Sequence, residues 1–236
     1  MSKRTDIIDG NEASKSRYGL IYTEVLGWID LGHAQGTDIK DLLIRIDAAE
    51  STSSKKSTYD IHYSQSMRSP VGNMKMGKFV TWRIKRGRSY SERESIALGM
   101  MMSVTNKFEG LQSSFVISLF TDSGFSGEDL ISNLLGFYRA ISISNPFPEL
   151  KPVTKKEALK RWDHYGEIGK WKNETFQPLL FPDPDKNPHS KPVKGKLPNF
   201  MQTVTPWSDF TSDIVSIATR EGSYMDSAEG GSLPFA

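Results

Sequence analysis

The chain has 236 residues, 37% of them hydrophobic and 11% aromatic, enough to build a core and too many for disorder throughout. Thirty basic residues against 28 acidic leave a net charge of +2, so no global field demands nucleic acid. The absence of cysteine removes disulfides, thiolate zinc sites and cysteine nucleophiles of the papain or NlpC type together.

The opening "MSKRTDIIDGNEASKS" has no apolar core of a secretory signal. No apolar run approaches the roughly 18 residues of a spanning helix. The expectation is a protein made in the cytoplasm. If it leaves its cell for a periplasm, it does so by a route without a cleaved signal.

Tyr18, Ile21, Tyr22, Val25 and Trp28 at helical spacing predict a first helix over 14–28. Gly32 and Gly36 in "DLGHAQG" break it. Thr37 reads as an N-cap, and Ile39, Leu42, Leu43 and Ile46 predict an amphipathic helix over 38–49. "TYDIHYSQ" sets Tyr59, Ile61 and Tyr63 against Asp60, His62 and Ser64. "MGKFVTWRIKR" sets Val80, Trp82 and Ile84 against Phe79, Thr81 and Arg83. Both predict strands, joined through "RSPVGN" as an irregular hairpin. Ser91 and Glu94 predict a capping box opening a helix over 92–111, with Ile96, Met100, Val104, Phe108 and Leu111 buried. "SSFVISLF" reads as a strand or a buried turn.

In "FTDSGFSGEDLISNLLGFYRAI", Ser126 and Asp129 have capping-box spacing ahead of the stripe Leu130, Leu134, Phe137 and Ile141. Thr154 and Glu157 repeat that spacing before a helix running to about Tyr165. Thr205–Pro206 predicts a last helix with Phe210, Ile214 and Ile217 inward and Gly222 as its stop. "DSAEGGSLPFA" reads as a loose tail.

Only Pro70 lies before position 145; the other prolines run from Pro146 to Pro234. This shift divides the chain into a helical core domain with a hairpin at 13–144 and a Pro-rich wrapping extension with short helices at 145–236. The expected fold class is α+β: a mainly helical domain with a small antiparallel β-hairpin and a Pro-rich C-terminal wrapping segment.

Four histidines are candidates for chemistry, and none sits at metal-ligand spacing from another. His33 follows Asp30 in "GWIDLGHAQG", a Gly-bounded loop of the kind that carries catalytic groups. An imidazole steered by a carboxylate serves as a base or a metal ligand; the other reading is a histidine that ties down the loop. His62 alternates outward on a strand, His164 suits a helix end, and His189 lies in the Pro-rich part. Glu109, in "NKFEGLQ", ends a long helix beside its apolar stripe, either as a general acid or base or as a solvated boundary residue. With Asp122 it would supply the two carboxylates of glycoside hydrolysis.

Ser126, Glu128 and Asp129 are accounted for by starting a helix. Ser132 and Asn133 are not, since they interrupt an apolar helix. Asn133 is expected half-buried and in need of partners. The interleaved charges of "KFVTWRIKRGR" read as a solvated edge strand ahead of a phosphate or nucleic-acid patch.

"SGFSGEDLISNLLGF", from Ser123 to Phe137, resembles the hallmark of an uncharacterised bacterial domain-of-unknown-function family. Its members carry a similar Ser-Phe-Ser-x-Glu-Asp-Leu-x-Ser-Asn-Leu-Leu-Gly run, matched here by Ser126, Glu128, Asp129, Leu130, Ser132, Asn133, Leu134, Leu135 and Gly136. A Gly-x-x-Asp-x-x-His element is met by Gly27, Asp30 and His33, and a glutamate in a long preceding helix by Glu109. The likeness covers roughly residues 20–140. It implies kinship with envelope lipoproteins and secreted antibacterial proteins. This chain has neither the signal nor the cysteine of the lipoprotein type, which tilts it toward the effector-like members.

The expected function is therefore a bacterial envelope-directed hydrolase acting on peptidoglycan, amide cleavage ahead of glycoside cleavage, as in an interbacterial toxin. Glu109, His33 and Asp30 are the expected catalytic residues. Water would be activated directly or through a divalent metal such as zinc held by His33 and Glu109. Asp129, Asn133 and Ser126 would support them. Expected partners are the envelope substrate and a secretion-system component or immunity protein, with no nucleic acid and no transmembrane segment. The rival is a non-enzymatic binding or adaptor protein of a secretion or envelope assembly.

Overall fold

The computed structural model describes residues 2–68, 75–112, 126–227 and 231–235, with side chains for 2–65, 79–106 and 126–219. "RSPVGN" past Arg68, "SSFVISLF" and Asp122 lie outside the described residues. The chain forms two compact units: unit 1 is 1–37 with 122–203, and unit 2 is 38–121 with 204–236. The division crosses the chain three times and does not fall at 144/145. The Pro-rich residues up to 203 belong with the N-terminus.

Unit 1 corrects the first predicted helix. Residues 14–28 hold a β-hairpin instead, β1 (Leu20–Thr23) against β2 (Gly27–Asp30), in the register Tyr22↔Trp28. The apparent helical spacing arose because these strands are buried almost throughout, so they read as a continuous apolar run. Gly27 (φ 75°) leaves the turn and pairs in parallel with Leu179; a Cβ there would lie 2.0 Å from the Leu179 carbonyl oxygen. Leu179–Leu180 (β5) and Val193–Lys194 (β6) complete a four-stranded sheet in the order β1-β2-β5-β6.

Ile7, Leu20, Tyr22, Trp28, Trp162, Ile168 and Phe181 form one core cluster on this sheet. The Tyr22 hydroxyl donates to the Phe181 carbonyl and accepts its N–H, both at 2.8 Å. Burial pushes that phenol up to about 12. The helix Lys155–Tyr165 starts as its sequence predicts, with the Thr154 hydroxyl accepting the Glu157 N–H at 3.3 Å. The Asp9 carboxylate accepts the Lys155 N–H at 2.9 Å.

Unit 2 corrects the expected fold class. The helix Thr37–Ser51 (α1) buries Ile39, Leu42, Leu43 and Ile46, and β3 (Thr58–Arg68) pairs with β4 (Lys75–Lys85) with Ile61 opposite Trp82. The hairpin is not small or isolated, however. β7 (Val215–Ser227) and β8 (Gly231–Phe235) extend it to a sheet of order β3-β4-β7-β8. With two four-stranded sheets among the described residues, the protein is an α+β mixture and not a mainly helical domain.

From Val215 on, the predicted last helix is strand β7, and the described part of the predicted loose tail belongs to the end of β7 and to β8. The β-branched Thr211, Ile214, Val215, Ile217 and Thr219 favour extended backbone. Gly222, read as a helix stop, pairs with Phe79 inside the sheet. The basic strand β4 is therefore interior and not an edge. The helix Tyr90–Gln112 (α2) buries Ile96, Met100 and Val104. Its capping box falls two residues earlier than predicted: Ser89 N–H donates to Glu92 Oε2 at 2.7 Å, and Glu92 N–H to Ser89 Oγ at 3.3 Å. No helix among the described residues is long and apolar enough to cross a membrane.

Candidate functional site

The helix Asp129–Ile141 (α3) of unit 1 buries Leu130, Leu134 and Phe137. Another of its faces holds the loop that follows β2. Asp30 ends that strand, and Asp30 Oδ1 accepts the Gly32 N–H at 2.7 Å. A short 3-10 turn follows at His33–Gln35, closed by Gly36 in the left-handed region at φ 66°.

Four residues of α3 hold the loop. Asp129 Oδ1 lies 3.6 Å from His33 Nδ1. Ser132 Oγ accepts the Asp30 N–H at 3.0 Å. Gly136 meets the loop backbone, since a Cβ on Gly36 would fall 2.0 Å from the Gly136 carbonyl oxygen. The Arg139 guanidinium donates to the Ala34 carbonyl. Burial pulls that guanidinium below its ordinary value. Residues 129, 132, 136 and 139 follow one another at helical spacing, so this is one face of the helix.

The His33 side chain is 47% exposed, whereas that of Asp129 is 11% exposed. An open imidazole thus faces a carboxylate withdrawn from water. The carboxylate that faces the ring is that of Asp129, while Asp30 Oδ1 caps its own loop. Asp129 Oδ2 also accepts the Ser126 N–H at 3.0 Å, which is one half of the predicted capping box. The other half is missing, because the Ser126 hydroxyl donates to Glu128 instead. Ser2 Oγ donates to the other Glu128 oxygen at 2.8 Å. Glu128 is 1% exposed, so it is not the solvated dipole partner that its place in the sequence suggests. A glutamate next to an aspartate at a helix start was the one sign of it, and helix capping explained that sign away. Asn133 is half-buried as expected, and its side chain makes no hydrogen bond to the described residues.

Glu109 lies on α2 in unit 2, and its side chain is outside the described residues. The expected trio is therefore split between units, with Asp30 and His33 in one and Glu109 in the other. Among the described residues no group of three or more His, Asp or Glu side chains is placed to hold a metal ion. His33 and Asp129 supply two donors, short of the three protein ligands of a catalytic zinc.

His62 Nδ1 lies 3.2 Å from Thr81 Oγ1, and burial, with a smaller effect from Arg45, lowers its pKa. His164 packs edge-on against Tyr165, and His189 is exposed. The described arginines of the basic strand are engaged as well. Arg83 grips both Asp60 oxygens, at 2.8 and 2.9 Å, and Arg86 donates to carbonyls at the end of α1. The chain matches no protein-family model, no curated protein and no solved structure.

Proposed function

We propose that unit 1 carries the site of a bacterial envelope-directed hydrolase acting on peptidoglycan, amide cleavage ahead of glycoside cleavage, in the manner of an interbacterial effector. The supporting observation is the His33–Asp129 pair, held on a loop that one helix face grips at four places. Asp129 Oδ1, 3.6 Å from Nδ1, favours the tautomer that carries its proton there. Nε2 then accepts a proton from the water that attacks the substrate carbonyl, and returns it to the leaving amine. The envelope substrate, and a secretion component or immunity protein as partner, rest on the resemblance of the "FSGEDLISNLLG" stretch.

The test is digestion of purified peptidoglycan by wild type, His33→Ala and Asp129→Asn, scored by newly released amines. Wild type should release them, and each variant should lose about a hundredfold or more. Glu109→Gln in the same assay tests the role expected for that residue. Equal release by wild type, His33→Ala and Asp129→Asn, or no release by any of them, overturns the reading.

A second reading, a non-enzymatic adaptor of a secretion or envelope assembly, has one observation in its favour. Ser126, Glu128, Asp129 and Ser132 spend hydrogen bonds on the protein itself, as structural groups do. Stable capture of an envelope component without any turnover would favour it.

A further inference from the structure

Tyr18 is 75% exposed, yet its backbone is fixed on both sides to the His33 loop. The Arg17 carbonyl accepts Gln35 Nε2 at 2.8 Å, and the Gly19 carbonyl accepts the Leu31 N–H at 2.9 Å. The aromatic ring is thus presented to solvent from an anchored position beside the loop. Scattered exposed aromatics are ordinary on a protein surface; one pinned at both neighbouring carbonyls beside the histidine loop is more specific.

Gly32 supplies the second observation. Its backbone, at φ −62° and ψ −49°, is right-handed and open to any residue, so conformation does not require glycine there. Space does. A Cβ would stand 3.0 Å from Asp30 Oδ1 and 3.4 and 3.9 Å from Tyr18 Cδ1 and Cε1. The missing side chain leaves room for about one atom, bounded by the Asp30 carboxylate oxygen on one side and the Tyr18 ring on the other.

We infer that Tyr18 and Asp30, across the gap left by Gly32, form a sugar-binding subsite beside His33. A pyranose has an apolar C–H face that packs on an aromatic ring and equatorial hydroxyls that donate to a carboxylate. Asp30 Oδ1 takes one N–H from Gly32, and a carboxylate has about four acceptor positions, so capacity remains. The inference rests on the hydrolase reading for its substrate class: the subsite holds the glycan beside whichever bond is cut.

The experiment titrates a soluble N-acetylglucosamine oligomer into the full chain and reads binding by calorimetry, with thermal melts to verify folding. Wild type should bind. Tyr18→Ala should weaken binding about tenfold, and Tyr18→Phe should restore it. Gly32→Ala, which fills the gap without straining the backbone, should weaken it about as much. No binding by wild type, or binding by Tyr18→Ala and Gly32→Ala as tight as that of wild type, overturns the subsite. The readout does not depend on turnover. Peptidoglycan cleavage that depends on His33 without oligomer binding sinks only the subsite. Binding that depends on Tyr18 without cleavage sinks only the hydrolase.

Discussion

The hydroxyl oxygen of Ser132, fully buried on α3, accepts the backbone N–H of Asp30 at 3.0 Å. A serine inside a helix usually bonds back to its own preceding turn. This one reaches across to the end of a strand and fixes where the His33 loop begins. The polar interruption of an apolar helix is therefore a tether.

Ser132→Ala leaves that N–H without a partner in a half-buried place. Unit 1 should lose about 1–3 kcal/mol, measured by urea unfolding. His33 should also be less well held, so peptidoglycan turnover should fall further than stability alone accounts for. Unchanged stability would show that water replaces the hydroxyl.

Gly36→Ala should be costlier. The new methyl would meet a backbone carbonyl that has nowhere to go, and it would sit at positive φ. Overpacking and left-handed strain together suggest a loss of roughly 2–4 kcal/mol. Gly87→Ala is the control, since it shares the positive φ but has open space around it. It should cost only the strain.

These tethers explain what could be read in advance. α3, the helix after Thr154 and the pairing of β3 with β4 follow from local periodicity and caps, which a short window of sequence contains. β1 and β2 did not, because Ile21, Tyr22, Trp28 and Ile29 are all buried, and buried strands lose their alternation. The stretch from Thr205 to Gly222 looked helical from Phe210, Ile214 and Ile217, although its β-branched residues pointed the other way. In the site, His33 and Asp30 were singled out from a Gly-bounded loop. Asp129 as the partner of His33 was not, because no local spacing links positions on separate elements.

Arg161→Met tests the core of unit 1. The guanidinium is 3% exposed, donates to the Phe181 and Glu157 carbonyls, pairs with Glu24 at 2.8 Å and lies 4.5 Å from the Tyr22 ring centroid. Glu24 is 49% exposed and rehydrates when the arginine is removed, so no charge is left stranded. The loss comes from the unpaired carbonyls and the ring contact, about 2–3 kcal/mol by thermal or urea unfolding. Arg161→Lys should recover less than half, because a single ammonium cannot reach all three partners.

Asp9 gives unit 1 an acid-sensitive joint. The backbone N–H of Lys155, with that of Asn11, holds the Asp9 carboxyl below its ordinary 3.8. The folded value lies below the unfolded one. Its contribution is therefore complete above about pH 4 and is lost as pH falls through the folded value. Asp9→Asn keeps an acceptor for Lys155 but does not titrate. Urea midpoints of wild type and variant should converge as pH drops from about 5 to about 2.5. A gap that stays constant would place the titration elsewhere.

The threefold crossing between units carries a consequence for synthesis on the ribosome. Gly27 emerges early, but its sheet partner Leu179 is made only after most of unit 2 has been translated. β4, in turn, waits for the last strands of the chain. Neither sheet can close on a growing chain until late, so β2, already paired with β1, spends much of translation without its other neighbour, β5. Pairings this distant in sequence make folding slow and leave apolar edges open meanwhile. Premature termination anywhere before 180 should therefore yield no folded half, only chain for chaperones and proteases to clear.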